Sequence, residues 1–275
     1  MKNKRKTNRP ETLLSAQEIY IQKHRQHHHR VTLLRFLLLF AFLGLWEFSA
    51  DTGLIDSFFF SSPSRVFHCF LSMTADYSIF HHIGITLLET LISFSLVILI
   101  GLFCATLLWC SKSLSEITEP YLVILNSLPK SALAPLFIVW LGTGISTIIV
   151  AGISVALFGC IISLYTGFHQ VDQEKMTLIH TLGGTRKDVF FKVVLPASVP
   201  TILSTMKVNI GLALVGVIIG EFLAARAGLG YLIIYGSQVF QLHLVITSIL
   251  ILCIIAMGLY QIIQCVEHRY RKKNA

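Results

Sequence analysis

The stretch "TLISFSLVILIGLFCATLLWC" (residues 90–110) is apolar on every face of the helix that it would form. A helix rises 1.5 Å per residue, so about 20 apolar residues cross the roughly 30 Å hydrocarbon core of a bilayer. The stretch matches that length. It also lacks the alternation of apolar and polar residues that a transmembrane β-strand shows. Residues 90–110 therefore predict a membrane-spanning α-helix.

The rest of the chain has the same character. Of its 275 residues, 54% are hydrophobic and 13% are charged, and the mean hydropathy is +0.72. The sequence predicts an all-α membrane protein with about six transmembrane helices. The predicted spans are 31–50, 83–109, 121–141, 145–168, 201–224 and 240–263.

Basic residues predict the orientation, because Lys and Arg accumulate on the cytoplasmic side of membrane spans. With both termini in the cytoplasm, the cytoplasmic segments carry 17 Lys and Arg residues and the outer segments carry 2. We therefore predict a disordered basic N-terminal tail over 1–30, a transmembrane domain over 31–263 and a basic cytoplasmic C-terminal tail over 264–275. The basic residues flank apolar spans and form no separate stripe, which favours a lipid bilayer and excludes nucleic acid as partner.

No motif points to a cofactor or a metal. The 6 cysteines contain no CxxC pair, and the His-rich tail lacks partner ligands at metal-binding spacing. The sequence also lacks GxxxxGK[ST], so the chain is not expected to bind a nucleoside triphosphate. We expect neither a cofactor nor a metal ion.

The longest polar stretch between spans is 169–200, which we place in the cytoplasm. Asp172 is a suitable N-cap for a short helix ending at Leu182, and Gly183 and Gly184 supply the backbone freedom for a sharp turn. Thr185 and Asp188 then form a potential capping box.

The second helix begins after this capping box, and Pro196 is expected to stop it. The segment would be two helices joined at a glycine corner. It is either a docking knob or a plain connector, and spacing alone leaves both open.

The stretch from Gly183 through Val193 to Leu195-Pro196 resembles the EAA loop of ABC importer permeases, in which Gly is followed by nine residues, Ile, one residue and Leu-Pro. Further stretches resemble, in order, the nitrate, sulfonate and taurine type of permease. They are "SSPSRV" (61–66), "HIGITLLETL" (82–91), "NSLPKSALAPLFIVWLG" (126–142), "VDQEKMTLIHTLGGTRKDVFFKVVLPASVP" (171–200) and "GLALVGVIIGEFLAARAGLGYLI" (211–233).

This resemblance implies a MetI-like permease fold in the bacterial cell membrane. It also implies partners: a second permease copy in a homodimer, two ATPase subunits and an extracytoplasmic solute-binding protein. The chain would be a transporter subunit and no enzyme, with ATP hydrolysed by the separate partner. The resemblance places ATPase coupling on Thr177, Leu178, Ile179, Gly183, Val193, Leu195 and Pro196, and we add Glu174, Gly184, Arg186 and Lys187 from the same segment.

One position departs from the family pattern. The EAA triplet falls on Thr177, Leu178 and Ile179, so the acidic residue of the family is missing. Glu174 lies three positions earlier, on a neighbouring part of the same helical face, and is the candidate replacement.

Charged residues and prolines within the spans are candidates for the pathway or gate. Lys130 lies between Pro129 and Pro135, which are expected to interrupt their helix. It contacts either the pathway or the cytoplasm. Glu221 is a further candidate near the outer end of its span, where water can reach it, and Glu89 lies about two turns in from an outer end.

Three classes of protein fit six spans. An ion-driven carrier usually shows an internal repeat of broken helices, which we do not find. An intramembrane enzyme would need a nucleophile or metal set, which is also missing. The importer permease is favoured, with a sulfonate, taurine or nitrate-like substrate, or alternatively a thiamine precursor or riboflavin.

Overall fold

The computed structural model describes residues 16–56 and 60–274, and these residues form two units whose boundary lies between Ser64 and Arg65. Helix α1, Ala16–Asp51, dominates the first unit, and its apolar portion is Arg30–Asp51. Residues 16–30 of the predicted tail are helical as part of α1, while residues 1–15 lie outside the described part. No Gly or Pro interrupts 16–43, so the apolar helix extends backwards at little cost.

The remaining described residues are almost entirely helical and contain no strand. In chain order the helices are α2 (Pro63–Ala75), α3 (Ser78–Cys110), α4 (Lys112–Ser127), α5 (Lys130–Leu141), α6 (Ile145–His169), α7 (Gln173–Thr181), α8 (Arg186–Val189), a π-helical turn (Phe190–Val194), α9 (Leu195–Ala224), α10 (Leu229–Gln238) and α11 (Leu242–Asn274). Because α11 reaches Asn274, the predicted C-terminal tail continues the last span as helix.

Among the described residues, five segments including the apolar part of α1 are long and apolar enough to cross a membrane, or six if the bent pair α4 and α5 counts as one span. The predicted third span, 121–141, is instead the pair α4 and α5, which meet at a bend of 95°. The bend follows from Pro129, because the residue before a proline is pushed out of the helical region, and Leu128 is extended at ψ 138°. The predicted interruption is confirmed at Pro129, whereas Pro135 lies inside α5 without breaking it.

Helices α3, α6 and α9 pack together as the core of the second unit. A Cβ atom on Gly216 would lie 2.8 Å from the Cα atom of Gly152, and one on Gly220 would lie 2.8 Å from the Cα atom of Ile148. These glycines therefore allow the backbones of α6 and α9 to touch. Such close packing stabilises helix pairs in lipid, where hydrophobic association is weak.

Two apolar clusters lie toward opposite ends of α3. One contains Phe168, Phe190 and Val194 and joins the end of α6 to the π-helical turn. The other contains Leu214, Leu229 and their neighbours and joins α9 to α10 and α11.

The prediction that Pro196 stops its helix is wrong. The chain stays helical from Arg186 through the π-helical turn and α9 to Ala224. Proline lacks an N–H group and clashes with the carbonyl four residues back in an α-helix. The π-helical turn lies just before Pro196 and widens the backbone there, with Leu195 N–H donating to the Phe190 carbonyl.

Candidate functional site

The first site is the segment 172–196 between the long helices α6 and α9. The Asp172 carboxylate accepts a hydrogen bond from the Glu174 N–H at 3.0 Å, which confirms Asp172 as the predicted N-cap of α7. The helix ends at Thr181, one residue before the predicted end.

The corner after α7 is a Schellman turn. Gly183 has φ 83°; its N–H donates to the His180 carbonyl at 3.0 Å, and the Gly184 N–H donates to the Ile179 carbonyl at 2.9 Å. A Cβ atom on Gly184 would lie 2.8 Å from that same Ile179 oxygen, whereas one on Gly183 would meet nothing within 4 Å. Gly184 is therefore required for space, and Gly183 for its backbone conformation.

The helix after the corner starts with the predicted capping box, which is confirmed. The Asp188 N–H donates to the Thr185 hydroxyl at 3.3 Å, and the Thr185 N–H donates to the Asp188 carboxylate at 3.0 Å. Lys192 pairs with Asp188 at 2.8 Å on the exposed side of the same turn. Local hydrogen bonds thus fix both helix ends that flank the corner.

The predicted coupling residues fall into two groups. Ile179, Gly184, Val193 and Leu195 are partly buried, and the three apolar side chains among them pack against the cluster around Phe168 and Phe190. The exposed members are Glu174, Thr177, Leu178, Gly183, Arg186, Lys187 and Pro196. Leu178 is 58% exposed, and Leu182, which was not among the predicted coupling residues, is 76% exposed. We call the exposed surface of residues 174–187 the knob.

Arg186 holds the knob to the end of α3. Its guanidinium donates to the carbonyl of Cys110 at 3.0 Å, which satisfies one of the unpaired carbonyls at a helix C-terminus. Beside it, the Trp109 ring lies 5.2 Å from the ring of Phe190. Sequence reasoning missed this contact because its partners are 76 positions apart and a backbone carbonyl leaves no mark in the sequence.

Lys130 lies at the bend between α4 and α5. Its ammonium group donates to the carbonyl of Asn126 in the last turn of α4. A cation at this position also interacts favourably with the negative end of the helix dipole. Lys130 therefore caps the C-terminus of α4, the helix that ends just before Pro129.

The second site is a turn toward the other end of α3 and α9. Glu221 is only 1% exposed, so the expectation that water reaches it is wrong. Its carboxylate accepts hydrogen bonds from the Thr86 hydroxyl at 2.7 Å and from the Gly230 N–H. The Leu229 N–H in turn donates to the Thr86 hydroxyl oxygen at 2.8 Å.

The turn is completed by His82, whose Nδ1 accepts a hydrogen bond from the Gly228 N–H at 3.0 Å. Three successive N–H groups at the start of α10 thus find side-chain acceptors, and the acidic group lies at the positive end of the helix dipole. A Cβ atom on Gly230 would lie 2.7 Å from the Glu221 carboxylate, so this glycine leaves room for the acid. We call residues 225–230 with these acceptors the capped turn.

The sequence alone indicates part of the capped turn. The stretch "EFLAARAGLG" (221–230) combines one acid with two closely spaced glycines, but His82 and Thr86 are more than 130 positions away. The described residues contain no group of three His, Cys, Asp or Glu side chains that could hold a metal ion.

Residues 97–272 match the family described as "Binding-protein-dependent transport system inner membrane component". The chain belongs to this family. The match includes the knob, the bend at Pro129 and Glu221 with most of the capped turn. The chain is therefore a permease subunit of an ABC importer in the inner membrane and no enzyme, and ATP is hydrolysed by a separate partner in this family.

Three relatives show how far the likeness extends. A "Probable ABC transporter permease protein" of Haemophilus influenzae is 31% identical over 88% of this chain and 98% of the relative. The "Formylaminopyrimidine transport permease protein ThiX" of Halalkalibacterium halodurans is 28% identical over 72% of this chain and 77% of the relative. The "Putative aliphatic sulfonates transport permease protein SsuC" of Bacillus subtilis is 25% identical over 86% of both chains.

The fold of the permease is also that of a solved transporter. The membrane subunit in an inward-facing structure of the MetNI methionine ABC transporter matches with a TM-score of 0.62, at 17% identity. The match covers 71% of this chain and 97% of that chain. This likeness confirms the predicted MetI-like fold.

Proposed function

We propose that two copies of this permease form the membrane pathway of an importer for a small polar solute. Two ATPase subunits and an extracytoplasmic binding protein would complete it. The observation that carries the proposal is the knob, the exposed surface of a two-helix corner. The Arg186 bond to Cys110 and the cluster around Phe168 hold this corner against α3 and α6. It lies within a family match of 176 residues (97–272).

The proposed orientation places the knob in the cytoplasm and the capped turn outside. Its support is the excess of Lys and Arg, 17 against 2, in the segments that this orientation places in the cytoplasm. The basic tails 1–30 and 264–275 would then lie beside the anionic lipids of the inner leaflet. Residues 31–263 would be the transmembrane permease domain, with 169–200 as its coupling segment.

Coupling would use the exposed part of the knob. Leu178 and Leu182 present apolar surface, and Lys187 and Glu174 supply charges of both signs. Exposed apolar groups with a charged rim are typical of protein docking sites. Glu174 is exposed in the first turn of α7, where it is free to address a basic residue of the ATPase in place of the missing family glutamate.

For the substrate, we propose a sulfonate, taurine or nitrate-like anion. The aliphatic sulfonate permease of Bacillus subtilis, which aligns with 86% of this chain, supports this class of substrate. The alternative is a thiamine precursor, favoured by the formylaminopyrimidine permease at 28% identity, or riboflavin, the substrate in the printed name of a relative at 26% identity.

The proposal is tested with the importer reconstituted in liposomes from this permease, its ATPase and its binding protein. The binding protein is first screened by thermal shift against taurine, alkanesulfonates, nitrate and aminopyrimidines. We expect uptake of the stabilising solute to require ATP, and the permease alone to hydrolyse none. Uptake driven by an ion gradient without ATP would refute the proposal.

A further inference from the structure

A cavity of about 520 Å³ opens beside the capped turn. It lies between the start of α6 and the end of α9, and Thr143, Ile148, Ala225 and Arg226 are among the residues that line it. Pockets that take up small ligands have volumes of about 300–1,000 Å³. The cavity is large enough for a solute of a few heavy atoms together with water.

The Glu89 side chain also lines this cavity, although only 2% of the residue is exposed. Its Oε2 atom finds no hydrogen-bond partner among the described residues. The Glu89 carboxyl group shares a hydrogen bond with the neighbouring Glu221, which also accepts from Thr86 and Gly230, and only the Oε2 atom of Glu89 is left over. Buried carboxyl oxygens are normally satisfied, so the free acceptor on Glu89 points to a missing donor.

Arg226 supplies the opposite charge at the same cavity. It is exposed, and none of the ion pairs between described residues involves it. Its guanidinium can bind a sulfonate or carboxylate through two parallel hydrogen bonds. The cavity therefore offers an exposed cation for an anionic head and a buried acceptor for an N–H group.

We propose that this cavity is a solute site of the permease, in which Arg226 binds an anionic head group and Glu89 accepts a hydrogen bond from an amine. The chemical class is a small aminosulfonate or amino acid, and taurine is the simplest probe. This site rests on the proposed function, because it would receive solute at the outer face. The site narrows the class of possible substrates, because nitrate has no N–H donor and a neutral pyrimidine has no anionic head.

The test uses the purified complex of permease and ATPase, in which the permease carries Thr143→Cys. The cysteine at position 143 is labelled with an anionic sulfonatoethyl thiosulfonate or with a cationic trimethylammonioethyl thiosulfonate. Peptide mass spectrometry measures the rate of each labelling reaction. We expect Arg226→Gln to slow the anionic reagent by about threefold relative to the cationic one, as for an exposed charge. Arg269→Gln, which removes an exposed charge near the opposite end of the fold, should leave the ratio unchanged.

Protection of position 143 from labelling by a bound solute then tests the contact between Glu89 and the amine of the solute. Taurine and ethanesulfonate differ only by the amine, and taurine should protect position 143 at about tenfold lower concentration. Glu89→Met, which keeps the length of the side chain but has no oxygen acceptor, should remove this difference and leave protection by ethanesulfonate unchanged. Equal protection by both solutes, or no labelling by either reagent, would overturn the site.

These measurements need no transport and no assumed orientation, so their failure is distinct from failure of the proposed function. A complex that imports solute with ATP but shows no protection at position 143 would refute only the cavity site. A complex that shows protection but no ATP-dependent uptake would refute only the importer proposal.

Discussion

Gly183→Val tests whether the knob transmits ATPase motion. Gly183 has φ 83°, and a Cβ atom there would meet nothing within 4 Å. The cost is therefore backbone strain alone, about 1–2 kcal/mol for an L-residue in the left-handed region and more for a β-branched one. Such a cost shifts the equilibrium away from the native corner by a factor of about 5–30.

The spans should be unaffected, because Gly183 lies in an exposed turn outside the apolar clusters. We expect the variant to reach the membrane at normal levels, while solute-stimulated ATPase activity and transport fall by about 5- to 30-fold. Both rates are measured in liposomes at equal amounts of complex.

Two substitutions serve as controls. Gly183→Asn places a side chain at the same corner, but Asn tolerates the left-handed region, so activity should stay within about twofold. Lys192→Ala removes only an exposed ion pair with Asp188 and should also change little. If Gly183→Val binds its ATPase and transports at the wild-type rate, the knob is only a connector.

Two further pairs of variants test the positioning residues. Arg186→Ala should lower the stability of the isolated permease by about 0.5–1 kcal/mol, since it removes the bond to the Cys110 carbonyl. Lys187→Ala should leave that stability unchanged and reduce ATPase binding; equal thermal midpoints of the two isolated variants would contradict this assignment. Gly230→Ala should displace the Glu221 carboxylate and cost about 1–3 kcal/mol, while Gly211→Ala, with nothing within 4 Å of its Cβ, should cost less than about 0.5 kcal/mol. Thermal unfolding of the isolated permease measures these stabilities, and similar midpoints for the two glycine variants would contradict the close packing at Gly230.

Local signals explain which parts of the knob could be predicted. The caps at Asp172 and Thr185 and the corner at Gly183 depend on residues within three or four positions, and all three are present as predicted. The continuation of the helix past Pro196 could not be predicted in this way. It depends on a π-helical turn whose Phe190 packs edge-on against Phe168 at 5.6 Å.

The burial of Glu221 could not be predicted for a similar reason. Its position near the end of a span indicated contact with water, because sequence gives depth in the membrane and not burial between helices. The structure surrounds it with Thr86 and with N–H groups of the turn before α10. An acid at the end of a span can therefore be a helix cap, and only tertiary contacts distinguish this from a pathway residue.

The two sites are joined by one continuous element. The helical segment Arg186–Ala224 has 39 residues, which is roughly 58 Å at 1.5 Å per residue and exceeds the thickness of a bilayer core. Arg186 and the knob lie at its start, and Glu221 lies in its last turn. We therefore expect a displacement of the knob either to bend the π-helical turn or to shift Glu221 with the N-terminus of α10. Because the Glu221 carboxylate binds the Gly230 N–H directly, the second response would move the capped turn and the cavity beside it.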